Sequence, residues 1–291
     1  MSLGLFFQLL ANGIMSGGTY ALVASGLTLT LGVVKIFNFA QGDFLMLGTF
    51  LTFAVVVSLG APYIVAIIVA LVAMALLGAL IYLGVIRRTM ASGFFNSMLV
   101  TVLLSMVIQQ VAVLTFAQQI QTVPPIFSGT MNLGEVSFSR SKLLVIGCSI
   151  VVLVGLYYFM KLKIGKAMLA SAENSDVAAL QGINAKQIFW VTVAVGCGLS
   201  GIAGAIIAPV QGAYSGVGSM VFSRALLVLM VGGMGSMSGA LIAGFLVGIV
   251  ESFAFQYVGY LNLIVILVLV GILMYFRPGG LLGKPMPIPG E

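Results

Sequence analysis

Between Asp43 and Arg87 the chain carries no charged side chain, and within that interval the run IVAIIVALVAMALLGALIYL is apolar on every face. About 20 such residues in a helix cross the ~30 Å hydrocarbon layer of a bilayer, and several other stretches here are as long and as free of charge. An outer-membrane barrel would need polar and apolar residues alternating in segments of about ten, which these runs lack. The composition agrees, with 61% apolar and 6% charged residues against about 25% charged in soluble domains. The expected fold is all-α, a polytopic helical bundle of the inner membrane forming one transmembrane domain over residues 1–291.

Several classes of function fall away at once. The formal charge of +6 does not point to nucleic acid, because the basic residues sit mainly between apolar runs, the pattern of positive-inside topology. The sequence has no histidine, which excludes a His-based triad, a zinc-protease motif and a histidine proton relay. Cys148 and Cys197 stand alone in apolar segments and read as small packed hydrophobes, not as a redox or metal site. No phosphate loop of the G-x-x-x-x-G-K-[ST] type occurs, so nucleotide chemistry has no place in this chain and neither cofactor nor metal is expected. The opening MSLGLFFQLLANG lacks a basic n-region and reads as part of the first span, not as a cleaved signal.

In chain order, the first run covers about Leu5 to Leu31, and its glycines suit packing inside the bundle. Asn38 to Gly42 reads as a break followed by a new helix start, with Asp43 in the first turn. The second run reaches Leu59, and Gly60-Ala61-Pro62 turns the chain into a third run over Pro62 to Ile86, closed by Arg87 and Arg88. A fourth run, Ser97 to Ala117, is followed by Gln118 and Gln119 and contains Gln109 and Gln110; amides at this density are expected to be buried and hydrogen-bonded. Gln121 to Arg140 reads as an external loop, either a hairpin or an interfacial helix.

The fifth run, Lys142 to Met160, leads into the one long polar island, Lys161 to Phe189, which holds four of the twelve Lys and Arg and two of the six acidic residues. Within it one short helix covers Gly165 to Glu173; a second is capped by Asn174 or Ser175 and closed by Gly182. Val177 and Leu180 give the second helix too little apolar surface to fold alone. A rigid docking knob and a helix lying on lipid headgroups are both compatible with this pattern. Trp190 follows as an interface anchor, and the sixth run ends at Pro209. After the glycine-rich Gln211 to Ser219, the segment around Gly232, Gly233, Gly235 and Ser236 is either a kink in one helix or a turn between two. Charge favours two, because Arg277 and Lys284 after the last run, Asn262 to Phe276, then share a side with Lys186. The count is nine crossings with the N-terminus outside and the C-terminus inside, or eight if one early run is re-entrant.

Four stretches, in this order, resemble the permeases of the bacterial branched-chain amino-acid importers driven by ATP-binding cassettes. They are Asn38-Phe39-Ala40-Gln41-Gly42, with Gln41 where many members have His; Gly165 to Asn184; Gly232 to Ala240; and Arg277-Pro278-Gly279-Gly280-Leu281-Leu282-Gly283. The resemblance covers nearly the whole chain, and its compact length is similar to the smaller of the family's two permeases. It implies a second homologous permease, two cytoplasmic ATPase subunits, a periplasmic binding protein and an inner-membrane location, with no enzyme activity in this chain. It also implies that Gly165, Ala170, Glu173, Asn174, Asp176, Ala178, Gly182 and Asn184 belong to the loop that docks into the ATPase.

Candidates to line or brace the translocation path are the scattered polar residues Asn38, Gln41, Asp43, Gln109, Gln110 and Glu251, with Gly233 and Gly235 at the helix break. An intramembrane carboxylate is expensive unless solvated or paired. Glu251 either faces the path or sits wetted at the outer mouth, and Asp43 either caps a helix or faces the path. Lys35 and Arg224 either snorkel or pair with one of these carboxylates. A stand-alone channel or ion-coupled carrier is the competing class and would have to use Asp43 and Glu251. Urea, short amides and aromatic or other carboxylic acids are alternative cargoes within the family.

Overall fold

In the computed structural model, which describes residues 3–90, 93–116, 119–125, 129–133 and 136–283, the charge-free runs become helices. These are α1 Leu3–Val34, α2 Gln41–Ser58, α3 Tyr63–Thr89, α4 Phe94–Phe116 and α5 Arg140–Lys161. The island forms α6 Lys163–Glu173 and α7 Ser175–Leu180, and α8 Ala185–Gln211, α9 Val217–Gly232, α10 Met237–Val258 and α11 Asn262–Phe276 follow. The loop before α5 is a hairpin of β1 Thr130–Leu133 and β2 Val136–Ser139, which decides between the two readings of that segment. Gln118, Glu135 and Lys284 lie outside the described residues.

The glycine break separates two helices, as the charges demanded. Gly233 and Gly235 both take positive φ, and Ser236 accepts from Gly239 N at 3.1 Å to cap α10. The chain then reverses at Gly259, φ +58. This reversal is required by the tail, where Leu281 N and Leu282 N donate to Val231 O and Gly232 O at 2.8 and 3.2 Å. After α10 has run about 33 Å away from Gly232, only a returning α11 reaches those carbonyls.

The centre of the bundle consists of α1 and α8, both largely buried, with α2, α9 and α10 against them and α3, α4, α5 and α11 at the rim. Small residues set these contacts. Gly13 and Gly17 of α1 face Gly248 and Gly244 of α10, Gly48 faces Gly201, and a Cβ at Gly204 would intrude on the Leu45 carbonyl of α2. Without a hydrophobic drive between helices in lipid, backbone approach of this kind supplies the packing.

Two expectations are corrected, and the alternatives left open for Lys35 are decided. Helix α8 does not stop at Pro209 but runs to Gln211. Proline has no N–H for the carbonyl four residues back, and the Tyr63 hydroxyl donates to that carbonyl, Ala205 O, instead. Gln110 and Gln119 are exposed rather than buried: α4 meets the bundle along a narrow line through Ser97, Thr101 and Ala112 that leaves Gln110 outside, and Gln119 lies beyond the end of α4. Lys35, exposed at the end of α1 with φ +57, pairs with neither carboxylate.

Replacing Gly204 by Ala should destabilise the protein by about 1–3 kcal/mol, the usual range for forcing a methyl into a filled contact. Gly155→Ala on α5, where nothing lies within 4 Å, should be neutral or stabilising by up to about 1 kcal/mol. Thermal unfolding in detergent, followed through Trp190 fluorescence, checks both, and equal responses would show that glycine contacts do not set the α2–α8 distance.

Candidate functional site

The polar residues gather in three places inside the bundle and one outside it. The first is the non-helical link 35–40 between α1 and α2. Asn38 Oδ1 accepts from Ala40 N at 3.2 Å, and Asn38 Nδ2 donates to Gln41 Oε1 at 3.1 Å. Gln41 Nε2 in turn donates to Gly196 O and Ser200 Oγ of α8 at 2.7 and 2.8 Å. Both side chains are essentially inaccessible. The break therefore lies level with the middle of α8, where irregular backbone survives only when protein satisfies it. Asn38 and Gln41 are braces of the break, and neither reaches open space.

Two residues past Gln41, Asp43 lines a cavity of about 220 Å³ between α2, α4 and α9, together with Phe39, Ser105, Gln109, Ser219 and Phe222. Its Oδ1 accepts from Gln109 Nε2 at 2.9 Å, and the same amide donates to Ser105 Oγ at 3.1 Å. Asp43 Oδ2 is buried and makes no hydrogen bond among the described residues, with the Ser105 hydroxyl within reach of the carboxylate. The α2 N-cap is Ala40 and makes no side-chain bond, so of the two roles open for Asp43 the cavity is the one it occupies. Gln110, one position along α4, points out of this cavity. A larger apolar groove of about 690 Å³ between α3, α5 and α8 has Arg140 as its one charged side chain and offers a zwitterion little to bind.

The third place is an ion pair. Arg224 Nε donates to Glu251 Oε1 at 2.9 Å, Asn262 Nδ2 donates to the same oxygen at 3.3 Å, and the Tyr20 hydroxyl donates to Oε2 at 2.7 Å. Glu251 is neither a free path residue nor merely wetted; it ties α1, α9, α10 and α11 together. Gly233 is likewise not open to a path, because any side chain there would strike Gly279 and Gly283 of the tail, while Gly235 lies beside Gly32 at the end of α1.

Outside the bundle, α6 and α7 form a hook. Gly165, Met168 and Ser171 are the buried face of α6, and any side chain at Gly165 would strike the backbone of Phe159 and Met160. The helix packs on α5, on α8 and on the π-helical last turn of α1, Thr30–Val34. Asn174 Oδ1 accepts from Asp176 N and Val177 N at 3.0 and 3.1 Å, capping α7, and Asn184 Oδ1 accepts from Gln187 N at 3.3 Å, capping α8. Gly182, φ +83, ends α7. Ala178 is buried and Ala170 half-buried, while Glu173, Asn174, Asp176 and Asn184 are exposed, as are Leu169, Val177 and Leu180.

The family model described as branched-chain amino acid transport system / permease component matches residues 9–277. The chain belongs to this permease family. A high-affinity branched-chain amino acid transport permease of Pseudomonas aeruginosa, BraD, is 27% identical over 96% of both chains. The Escherichia coli permease LivH is also 27% identical over 96% of both. A solved chain of PsaBC from Streptococcus pneumoniae, in complex with a Fab, shares the fold with a TM-score of 0.50 and 14% identity over 94% of this chain and 92% of that one. Members of this family are transport permeases, not enzymes. Among the described residues no group of three acidic or cysteine side chains could hold a metal ion.

Sequence reasoning found Asp43 and Gln109 but missed Ser105, Ser219, Phe39 and Phe222 around them, and Tyr20 and Asn262 around Glu251. A Ser105–Gln109 spacing of four on one helix face was a usable signal for the first. The others are ordinary residues brought in from distant elements.

Glu251→Leu strands Arg224 without its partner and should destabilise by about 3–5 kcal/mol. Arg224→Met combined with Glu251→Leu should recover most of that loss. Thermal unfolding of the native protein, both single variants and the double variant measures the coupling, and additive losses would mean the two residues act independently.

Proposed function

We propose that this chain is the smaller of two permease subunits in an ATP-driven importer that moves branched-chain amino acids from a periplasmic binding protein into the bacterial cytoplasm. Its partners are a second homologous permease in the same inner membrane and two cytoplasmic ATPase subunits. The N-terminus faces the periplasm; the C-terminal tail and the hook face the cytoplasm. The observation that carries the reading is the hook: two short helices, the second capped by Asn174, anchored on three spans by one face and presenting Leu169, Val177 and Leu180, with Glu173 and Asp176, on the other.

The physics of such an element supports force transmission. A flexible loop would absorb the motion of an ATPase, whereas a helix fixed by Gly165 and Met168 passes a push to α1, α5 and α8. A rigid-body switch of the spans between outward- and inward-open states then needs no large change within any helix. In this reading Gly165, Ala170, Glu173, Asn174, Asp176, Ala178, Gly182 and Asn184 shape the docking surface. Asp43 and Gln109 line the path, and Gln110, exposed beside them, faces the second permease.

A stand-alone ion-coupled carrier is less well supported, since Glu251, one of the two carboxylates it would use, already has Arg224, Tyr20 and Asn262 as partners. Gln41 also loses its weight in the choice of cargo. Its amide is spent on α8, so its departure from the family's His says nothing about urea, amides or aromatic acids.

Replacing Glu173 and Asp176 together with Lys should cut copurification of the ATPase subunits at least about tenfold and abolish ATP-driven leucine uptake, since like charges across a docking surface cost several kcal/mol. The same double change should leave the thermal stability of the isolated permease within about 0.5 kcal/mol, because both residues are exposed. Unaltered association and uptake would remove the hook from coupling.

A further inference from the structure

Among the described residues two carboxylates, Asp43 and Glu251, lie in the apolar body of this protein, and their surroundings are opposite. Glu251 has every oxygen engaged by Arg224, Tyr20 and Asn262. Asp43 is 2% exposed and has one oxygen held by a neutral amide, while Oδ2 makes no hydrogen bond among the described residues and the Ser105 hydroxyl is the other neutral group beside the carboxylate. A buried carboxyl in that condition either takes up a proton or, to stay ionised, needs a cation and hydrogen bonds from elsewhere. No ion pair reaches it within the described residues, and none of the side chains that line its cavity is basic.

The cavity beside Asp43 states what the missing partner must be. At about 220 Å³ it falls just short of the ~300 Å³ at which sites for whole small molecules begin, so it takes an end group and a few carbons. Phe39 and Phe222, with ring centroids 5.7 Å apart, form aromatic walls that favour a cation. Ser105 and Ser219 add hydroxyl oxygens. Acceptors and aromatic faces without any basic group welcome a monovalent cation and repel a carboxylate.

We propose that this cavity is a transient subsite for the ammonium group of the cargo, with the Asp43 carboxylate as its counter-charge. Resting on the reading of the chain as an amino-acid permease, this assigns a selectivity step to the membrane subunit. The ammonium end docks between α2, α4 and α9, the cargo's carboxylate stays outside the cavity, and the Gln109 amide keeps the aspartate oriented while the site is empty. A solute lacking the ammonium leaves Asp43 unpaired and gains nothing there.

The test uses the assembled importer in lipid nanodiscs with Met106→Trp, at an exposed wall of the cavity, as reporter and Trp190→Phe to remove the native signal. Fluorescence is titrated with leucine, with leucinol, which keeps the ammonium but lacks the carboxylate, with 2-hydroxy-4-methylpentanoate, which lacks the ammonium, and with sodium chloride. Leucine and leucinol should give saturable shifts, the hydroxy acid none, and Asp43→Asn, an isosteric change, should raise the apparent Kd for leucinol at least about tenfold. Ser219→Leu, which fills the cavity without touching the carboxylate, should abolish the shift as well. Equal binding by the hydroxy acid, equal binding by Asp43→Asn, or a sodium response that displaces leucinol would each overturn the proposal, the last by making the site one for an inorganic cation. ATP-driven leucine uptake by the native complex tests the permease reading separately: failure of uptake with the fluorescence response intact sinks that reading and not the subsite.

Discussion

A backbone that leaves its helix inside a bilayer has no water to satisfy it, and the link between α1 and α2 meets that constraint halfway along α8. Two neutral amides resolve it: Asn38 closes the turn on Ala40 and Gln41, and Gln41 fastens the turn to Gly196 and Ser200 of α8. Much else follows from where this brace puts the chain. It sets the start of α2, hence the depth of Asp43, and it requires α8 to present bare backbone at Gly196, where a Cβ would crowd Gly26 and Thr30. The glycine contacts of α1 and α2 with α8 serve the same geometry, bringing backbones close enough for short side-chain amides to bridge them.

The hook and the cavity are linked through this brace. Helix α6 packs on Thr30–Val34, the π-helical turn that closes α1, and the link from that turn leads straight into the first turn of α2, where Asp43 sits. A displacement of the hook therefore acts on the end of α1 beside the least regular segment of the membrane domain, while the long helix contacts of α1 with α10, sealed by the Tyr20–Glu251 bond, resist it further along.

How much of this was readable in the sequence depended on the range of the signal. The spans and the caps of the hook come from local chemistry, runs without charge and Asn174 before Asp176, whereas the turn between α9 and α10 was favoured over a kink only by the side on which Arg277 and Lys284 fall. The break at Asn38 was legible from local chemistry too. The partners of the buried groups were not, because Asp43 and Gln109, or Arg224 and Glu251, lie on different helices and nothing in either segment names the other. Gln110 shows the limit from the other side. An amide in an apolar run reads as buried, yet α4 stands off the bundle on Ser97, Thr101 and Ala112, and whichever amide is not on that line faces outward. Pro209 misled for a related reason, since the helix it should end is continued by a tyrosine from α3.

Two carboxylates in one membrane domain test the general rule that such groups are either structural or functional. Glu251 satisfies the structural branch completely. Its charge is cancelled by Arg224, and it joins four helices, so its loss should be read in stability and not in selectivity. Asp43 cannot be given the same role, because a residue retained for packing would be better replaced by its own amide, which would satisfy Gln109 equally and bring no uncompensated charge into an apolar wall. A buried carboxylate with a vacant oxygen and aromatic neighbours makes physical sense when the compensating cation comes and goes, and a path for amino acids supplies one with every molecule that passes.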